Sequence, residues 1–360
     1  MGNVGGAGET EMTVKPYYSF DDQMKERFGG KVYRLALSAS KTCPNRDGTC
    51  GTGGCIFCSA GGSGDFAEDV SLDIRTQIER AKQRVSRKLS RNFAGYMAYF
   101  QSFTETYGDQ EHLISCFREA AAQPEILALS IATRPDSIEP EMLDALSELN
   151  RIKPVYVELG LQTIHEDTAA YINRGYSLPV FEEAFQRLKA AGLAVVVHVI
   201  IGLPGEDAER TKQTVRYLSD LVCRPAGEIL IEKTENRNPH IDGIKLQLLH
   251  VLKGTRLAGL LPENYAKQAL TFAEGGDPGT LFLNDGTALP CYNIQNYAEL
   301  ITELISMLPA RTAVHRLTGD PPKRLLLMPL WSADKKRVLN TITKCLQEHG
   351  RRISGSGPEL

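Results

Sequence analysis

The run Leu193 to Ile201, LAVVVHVII, is apolar at all but one of its positions. A strand with one face in water alternates polar and apolar residues, so this one is buried on both faces, as strands of a parallel sheet covered by other layers are. Parallel neighbours need crossover connections, usually helices, and the rest of the chain supplies them. KVYRLALS, GYMAYFQSF, ILALSIAT, PVYVELGLQ and IDGIKLQLLHV read as further strands. Between them, Ile74, Ile78, Ala81, Val85 and Leu89 fall at helical spacing, Asp109 to Ala122 reads as a second helix, and Pro140 opens a third. Pro179 to Ala191, ended by Gly192, and Asp207 to Cys223, stopped by Pro225, complete the alternation. Six such units predict an α/β chain folded as a (β/α)6 partial TIM barrel. With 42% apolar residues over 360 positions, there is enough material for its core.

The boundaries follow from where this pattern starts and stops. Residues 1–29, Gly-rich at first, are expected to be a flexible N-terminal segment and 30–250 the barrel. Residues 251–350 are expected to form a C-terminal α/β appendage: a loop-rich piece with TFAEGGDPG, an amphipathic helix near Ile294 to Leu308, the apolar run LLLMPL, and a last helix from Asp334 to Glu348. Residues 351–360 are expected to be a disordered tail. The N-terminus is acidic where a secretory signal would be basic and apolar, and no run approaches the ~18 apolar residues of a membrane span. The expectation is a cytoplasmic protein with no membrane partner. A net charge of −3 makes no global case for nucleic acid. One local stretch does, since RAKQRVSRKLSR (Arg80 to Arg91) carries six basic residues and no acid, which suits phosphate contacts or, equally, a solvated helix face.

The chemistry concentrates in Cys43 to Cys58, CPNRDGTCGTGGCIFC, a Gly-dense loop leaving the first strand. Cys43, Cys50, Cys55 and Cys58 together could close a tetrahedral zinc site. Three of the four could instead hold a [4Fe–4S] cluster with one iron open to a small molecule. Disulfides are not expected without a secretory signature. Cys116, Cys223, Cys291 and Cys345 have no ligand spacing, so no second cluster is expected. In a barrel of this kind function gathers at the strand C-terminal ends, and here those ends carry FQSFTET, TRPD, ELGLQT and IIGLPGE beside the cysteine loop.

The cysteine loop, TRPD, ELGLQTIHEDT, NRGY and VHVIIGLPGED together resemble radical S-adenosylmethionine (SAM) enzymes of the YhcC/YtqA-like family, relatives of the radical SAM half of the elongator-complex catalytic subunit. The resemblance runs from about Lys31 to Gly350 and includes RLTGDPPKRLLLMPLW. It implies the radical SAM type of partial barrel, with a [4Fe–4S] cluster on Cys43, Cys55 and Cys58, and with Cys50 standing aside. SAM would bind the open iron and be cleaved reductively to a 5′-deoxyadenosyl radical. By the same resemblance Phe57 lies by the adenine, and Gln101, Ser102 and Thr104 take the place of a Gly-rich strand end that meets the methionyl amino group. Gln162 and Arg174 match a Gln/Arg pair that contacts SAM, with the Arg suited to a carboxylate. His198 falls at a ribose-binding acid, while Gly202, Pro204 and Gly205 pass the adenine. Glu158 and Arg134 read either as cofactor contacts or as salt-bridge partners at the barrel mouth. Ala132-Thr133 stands where elongator-type enzymes have an acid just before TRPD.

The resemblance implies a tRNA wobble uridine as substrate and an electron donor such as flavodoxin or ferredoxin. A peptide or small metabolite is the alternative within the enzyme class, and a non-catalytic, zinc-stabilised RNA-binding module the alternative outside it. No acetyl-coenzyme A fingerprint is present, so the elongator's acetyl chemistry is not expected.

Overall fold

A computed structural model describes residues 16–62, 65–223, 239–274 and 278–355, with side chains placed up to residue 350. Helix α1 (Phe20–Phe28) precedes β1 (Lys31–Leu37), α2 (Ile74–Val85), β2 (Phe93–Phe100), α3 (Gln110–Ala122), β3 (Ile126–Thr133) and α4 (Pro140–Ile152). Then come β4 (Val155–Gln162), α5 (Glu166–Tyr171), α6 (Leu178–Ala190), β5 (Ala194–Ile201), α7 (Ala208–Asp220) and β6 (Gly243–Leu248). The C-terminal part contains β7 (Val251–Leu252), α8 (Arg256–Gly259), α9 (Tyr265–Glu274), β8 (Gly279–Phe282), β9 (Ala288–Cys291) and α10 (Ile294–Ser306). It ends with β10 (Ala313–Arg316), β11 (Leu326–Met328) and α11 (Lys335–Gly355).

Among the described residues β1 to β6 lie in sequence order in one parallel sheet, with β10 added beside β6 as a seventh strand. The fold is the partial TIM barrel expected from the alternation. One element differs: β10 comes from the stretch assigned to the appendage, so residues 251–350 also complete the sheet. Its four residues, AVHR, are too short to show a period of two. Val195, Val197 and Val199 of β5 face the helices in the main core, while Val196 faces inward, which explains why the strand reads as apolar throughout.

The segment expected to be flexible is in part a structural plug. Ser19 Oγ accepts from Asp22 N–H, Ser19 N–H donates in return to Asp22 Oδ2, and Gly29 ends the helix at φ 73°. Tyr18 O accepts from Val314 N–H at 2.8 Å, tying this segment to β10. The helix also packs on β1, so it bridges the two edges of the curled sheet. Met24, fully buried, fills the barrel's lower end with Val32, Met97, Ala128, Tyr156 and Val196. The capping box and the single buried Met24 explain why a Gly-rich preamble hides a helix from composition. Residues 1–15 lie outside the described residues. At the other end α11 runs on to Gly355, into the expected tail, and residues 356–360 lie outside the described residues. Within the expected loop TFAEGGDPG, TFAE ends α9, and residues 275–277 lie outside them.

Met24→Ala should cost about 2–4 kcal/mol of unfolding free energy, the range for emptying a buried methionine site. Urea denaturation measures it; a loss below ~0.5 kcal/mol would mean that residues 20–28 do not plug the barrel in solution.

Candidate functional site

The cysteine loop starts from a clamped position. Glu105, fully buried, accepts from the N–H groups of Ala39 and Ser40 through Oε2, both at 2.9 Å, and from Ser102 N–H through Oε1 at 2.8 Å. Burial pushes its carboxyl up to about 8 against the pull of these three bonds. Gln77 pairs with both backbone groups of Ser38 at 2.9 Å, and the Ser38 and Ser102 hydroxyls share a hydrogen bond. The ends of β1 and β2 are therefore locked together where the loop leaves.

The loop then docks on the NRGY segment. Asn45 Nδ2 donates to Asn173 O at 2.6 Å, and Asn173 Nδ2 donates to Gly54 O at 2.8 Å. Gly175 has φ 82°, and a Cβ there would stand 3.0 Å from Asn45 Oδ1. Glycine is needed for both the conformation and the approach.

Cys43, Cys55 and Cys58 line a cavity of about 260 Å³, whereas Cys50 is exposed and lies outside its lining. The hydrogen bond between Cys58 and Cys55, then the Arg46 guanidinium, draws the Cys58 thiol down to about 7. The same bond, then burial, pushes Cys55 up. Among the described residues no three His, Cys, Asp or Glu side chains stand close enough to grip one metal ion. Cys43 and the hydrogen-bonded pair Cys55 and Cys58, set around one cavity, suit a larger, multi-iron group.

Most of the residues singled out from the sequence meet here. Phe57, Gln101 and Thr104 line the cavity from the first two strand ends, and the buried Thr104 hydroxyl has no protein partner. Glu158, Gln162, Arg174 and His198 line it from β4, the NRGY segment and β5. Ser102 does not; its polar groups serve the clamp. Gly202, Pro204 and Gly205 do not either. Gly202 faces Tyr292 and a second, apolar cavity of about 250 Å³, and Gly205 N–H is pinned to Ala288 O at 2.7 Å, so the turn is aimed at the C-terminal part instead of the cysteines.

Arg174 is placed differently from a free fork awaiting a carboxylate. Its guanidinium donates to Leu161 O at 3.0 Å, Thr163 O at 2.6 Å and Tyr176 O at 2.9 Å, with Glu166 on the last nitrogen at 3.4 Å. Those bonds hold the end of β4, where Gln162 adopts φ 64°, a conformation costly for a side chain of its size. Tyr176, whose hydroxyl donates to Gln162 Oε1 at 2.9 Å, lies between the Arg174 and Arg134 guanidinium groups, 4.7 and 4.8 Å from its ring centre. Arg134 does not pair with Glu158; it forks onto Asp136 at 2.9 and 2.6 Å.

At the cavity floor the inward positions of five strands form a polar layer. Glu158 accepts from Ser130 Oγ at 2.7 Å and from the buried Lys245 ammonium, and His198 Nε2 lies 3.1 Å away. Lys245 also donates to Tyr99 OH at 3.0 Å. Burial would raise Glu158, but Lys245 and then His198 hold it well below the usual carboxylate range. Burial, then Lys245, holds His198 at about 4, so its ring is neutral at pH 7. Burial also pulls Lys245 well below an ordinary ammonium. Lys245 is not among the residues the sequence singles out, although GIKLQL sets Lys245 and Gln247 two apart on one face of an apolar strand. Across the sheet's open side Arg34 of β1 lies 3.0 Å from His315 Nδ1 of β10, and Gln23 Oε1 stands 3.2 Å from Nε2.

Comparison with known proteins bears directly on this cavity. Residues 42–218 match the family model of the radical SAM superfamily, and residues 284–348 that of the radical SAM C-terminal domain. The chain is 37% identical to YtqA of Bacillus subtilis over 94% of its own length and 92% of that protein's. It is 31% identical to YhcC of Escherichia coli over 94% of each. Human elongator complex protein 3 is 25% identical over 56% of this chain but only 29% of its own length. Among solved structures, an N-terminally deleted Elp3 of Methanocaldococcus infernus superimposes with a TM-score of 0.51 at 17% identity, covering 82% of this chain and 59% of that one.

The His315 ring tests the interior electrostatics. Burial, then Arg34, holds its pKa well below the ordinary 6.5. Below pH 6.5 the unfolded chain therefore takes up a proton that the native ring refuses, so the stability is intact above that pH and is lost as pH falls. The stability advantage of wild type over His315→Gln should shrink by about 1.4 kcal/mol between pH 7.5 and 5.5, measured by paired urea titrations. A difference that does not change with pH would show that the buried ring titrates normally.

Proposed function

This chain belongs to the radical SAM superfamily, and we propose that its [4Fe–4S] cluster is held by Cys43, Cys55 and Cys58, with a tRNA base as substrate. The observation that carries the ligand set is that these three thiols line one cavity while Cys50 stands exposed outside it. A fourth thiolate would leave no iron for SAM. When bound, the cluster supplies the electron that cleaves SAM and so generates the 5′-deoxyadenosyl radical that abstracts hydrogen.

The chain's own residues orient and shelter that chemistry. Phe57, beside Cys58, offers its ring and backbone to the adenine. Gln101 and the partnerless Thr104 hydroxyl face the cavity as groups for the methionyl end. Gln162, fixed by Tyr176 and by Arg174, presents its amide from a strained strand end. His198, neutral and braced by Glu158, is set to hydrogen-bond a ribose hydroxyl. The closed lower end of the barrel keeps water from the reacting centre.

The tRNA reading rests on the elongator resemblance and on the surface of α2 and the turn that follows it. Lys82 pairs with Glu79 and Glu125, and Arg84 with Glu68. Arg80, Arg87, Lys88 and Arg91 are exposed and make no ion pair among the described residues, leaving them for phosphates. No helix among those residues is long and apolar enough to cross a membrane. A cytoplasmic setting, with flavodoxin or ferredoxin as donor, fits a chain whose cysteines are all free.

Anaerobically reconstituted protein should carry about four iron and four sulfide per chain and should form 5′-deoxyadenosine when reduced with SAM. Cys50→Ala should keep both properties, and Cys43→Ala, Cys55→Ala and Cys58→Ala should each lose both. Loss of metal in Cys50→Ala would overturn the three-cysteine assignment.

Deleting the gene should remove or alter one modified nucleoside in total tRNA, read by mass spectrometry. An unchanged profile, with RNA binding indifferent to salt, would direct the search to a peptide or small metabolite.

A further inference from the structure

The wall of the cavity built by β6, β10 and the turn after β10 takes no part in the assignments above. Arg316 lines it, and one guanidinium nitrogen donates to Gln247 Oε1 at 2.8 Å. Arg316 makes no ion pair among the described residues. His250 lines the same wall at 9% exposure, and its buried Nε2 has no partner. Its ring is pressed on the backbone of Gly319, where a Cβ would lie 2.8 Å from Nδ1. That glycine keeps the imidazole in place. Asp320 also faces the cavity, but its carboxylate is answered by Lys335 at 2.8 Å.

The charges behind this wall do not balance. Lys245 and Arg34 are turned into the barrel, Arg316 stands above them, and Glu158 is the single carboxylate among them. Among the described residues the Arg34 guanidinium meets the imidazole and backbone of His315 and the Phe20 ring, 3.8 Å from its centre, but no carboxylate, and its Nε is buried without a hydrogen-bond partner. Three basic side chains against one carboxylate, in surroundings that screen poorly, favour an anion at this wall. A guanidinium beside a neutral imidazole and a side-chain amide gives a set of donors suited to a planar or tetrahedral oxyanion. Burial keeps His250 at about 4, so it is neutral and free to carry its proton on Nε2.

We propose that Arg316, with Gln247 and His250, forms a subsite for an anionic oxygen group of the substrate, a carboxylate or a phosphate. The proposal rests on the cavity being the reaction chamber, but not on the substrate being tRNA. The subsite would place a charged group of the substrate against β6 and β10 and leave the cysteine end for SAM. Binding energy collected there would orient the reacting carbon.

The test uses reconstituted full-length protein and two probes, sodium acetate and sodium phosphate, each compared with sodium chloride at equal ionic strength. The thermal midpoint of wild type should rise with at least one probe, acetate identifying a carboxylate subsite and phosphate a phosphate subsite. Arg316→Gln should need about ten-fold more of that probe for the same rise, and Arg316→Lys, which keeps the charge but loses the fork, should fall between them. Iron content, measured alongside, reports whether each variant has folded and loaded, and if Arg316→Gln has not, the Lys variant decides. An equal response in wild type and loaded variants overturns the proposal, as does a wild type that does not respond. Equilibrium dialysis with SAM separates the remaining source: if Arg316→Gln loses SAM affinity, the guanidinium serves the cofactor's carboxylate and the substrate subsite falls. A wild type lacking iron would instead count against the cluster assignment.

Discussion

A single ionised carboxylate, Glu158, organises the inside of the barrel. Taking an acid, a lysine and a histidine out of water costs several kcal/mol per ion unless each finds partners, and here Ser130, His198 and Lys245 converge on one side chain from three other strands. Each strand must therefore present the right residue at the right height, and a slip of one residue in any of them would turn its polar group into the apolar layer under the helices. The same interaction separates two regions of different character. Beneath it lies an apolar plug of Met24, Tyr156 and their neighbours. Above it lies the cavity with the cysteines.

The two open edges of the sheet set a second constraint. An unpaired parallel edge exposes a row of backbone donors and acceptors, and this chain covers the gap with pieces from both its ends, α1 and β10. The Arg34 to His315 contact spans the same gap from inside. The C-terminal part is thus a component of the barrel wall, and Arg316, which faces the cavity from β10, owes its position to a segment far from the cysteine loop in sequence.

Much of this was legible in the sequence because it is written in periodicity. The six strands and their helices follow from apolar spacing, and the cysteine loop from its own composition. What escaped detection did so for physical reasons. The β10 strand is four residues long, and α1 announces itself only by a capping box and one buried methionine. Lys245 looks like a surface residue until its strand is known to face a carboxylate. Arg174 shows the limit from the other side. The family resemblance pairs it with Gln162 as a cofactor contact, yet the guanidinium is satisfied by carbonyls that only the folded turn brings together. Gly202, Pro204 and Gly205 end their strand as the pattern suggests, but the pairing of Gly205 with Ala288, a long-range contact, decides where that turn faces.

The docking of the cysteine loop on Asn173 and Gly175 has a consequence for how such a protein is manufactured. In a small zinc-binding domain, metal binding and folding are one event, and a chelator unfolds the chain. Here Asn45, Asn173, Glu105 and Gln77 shape the loop through hydrogen bonds that involve no metal at all. The barrel's own hydrogen bonds thus supply part of the mould into which the cluster is set.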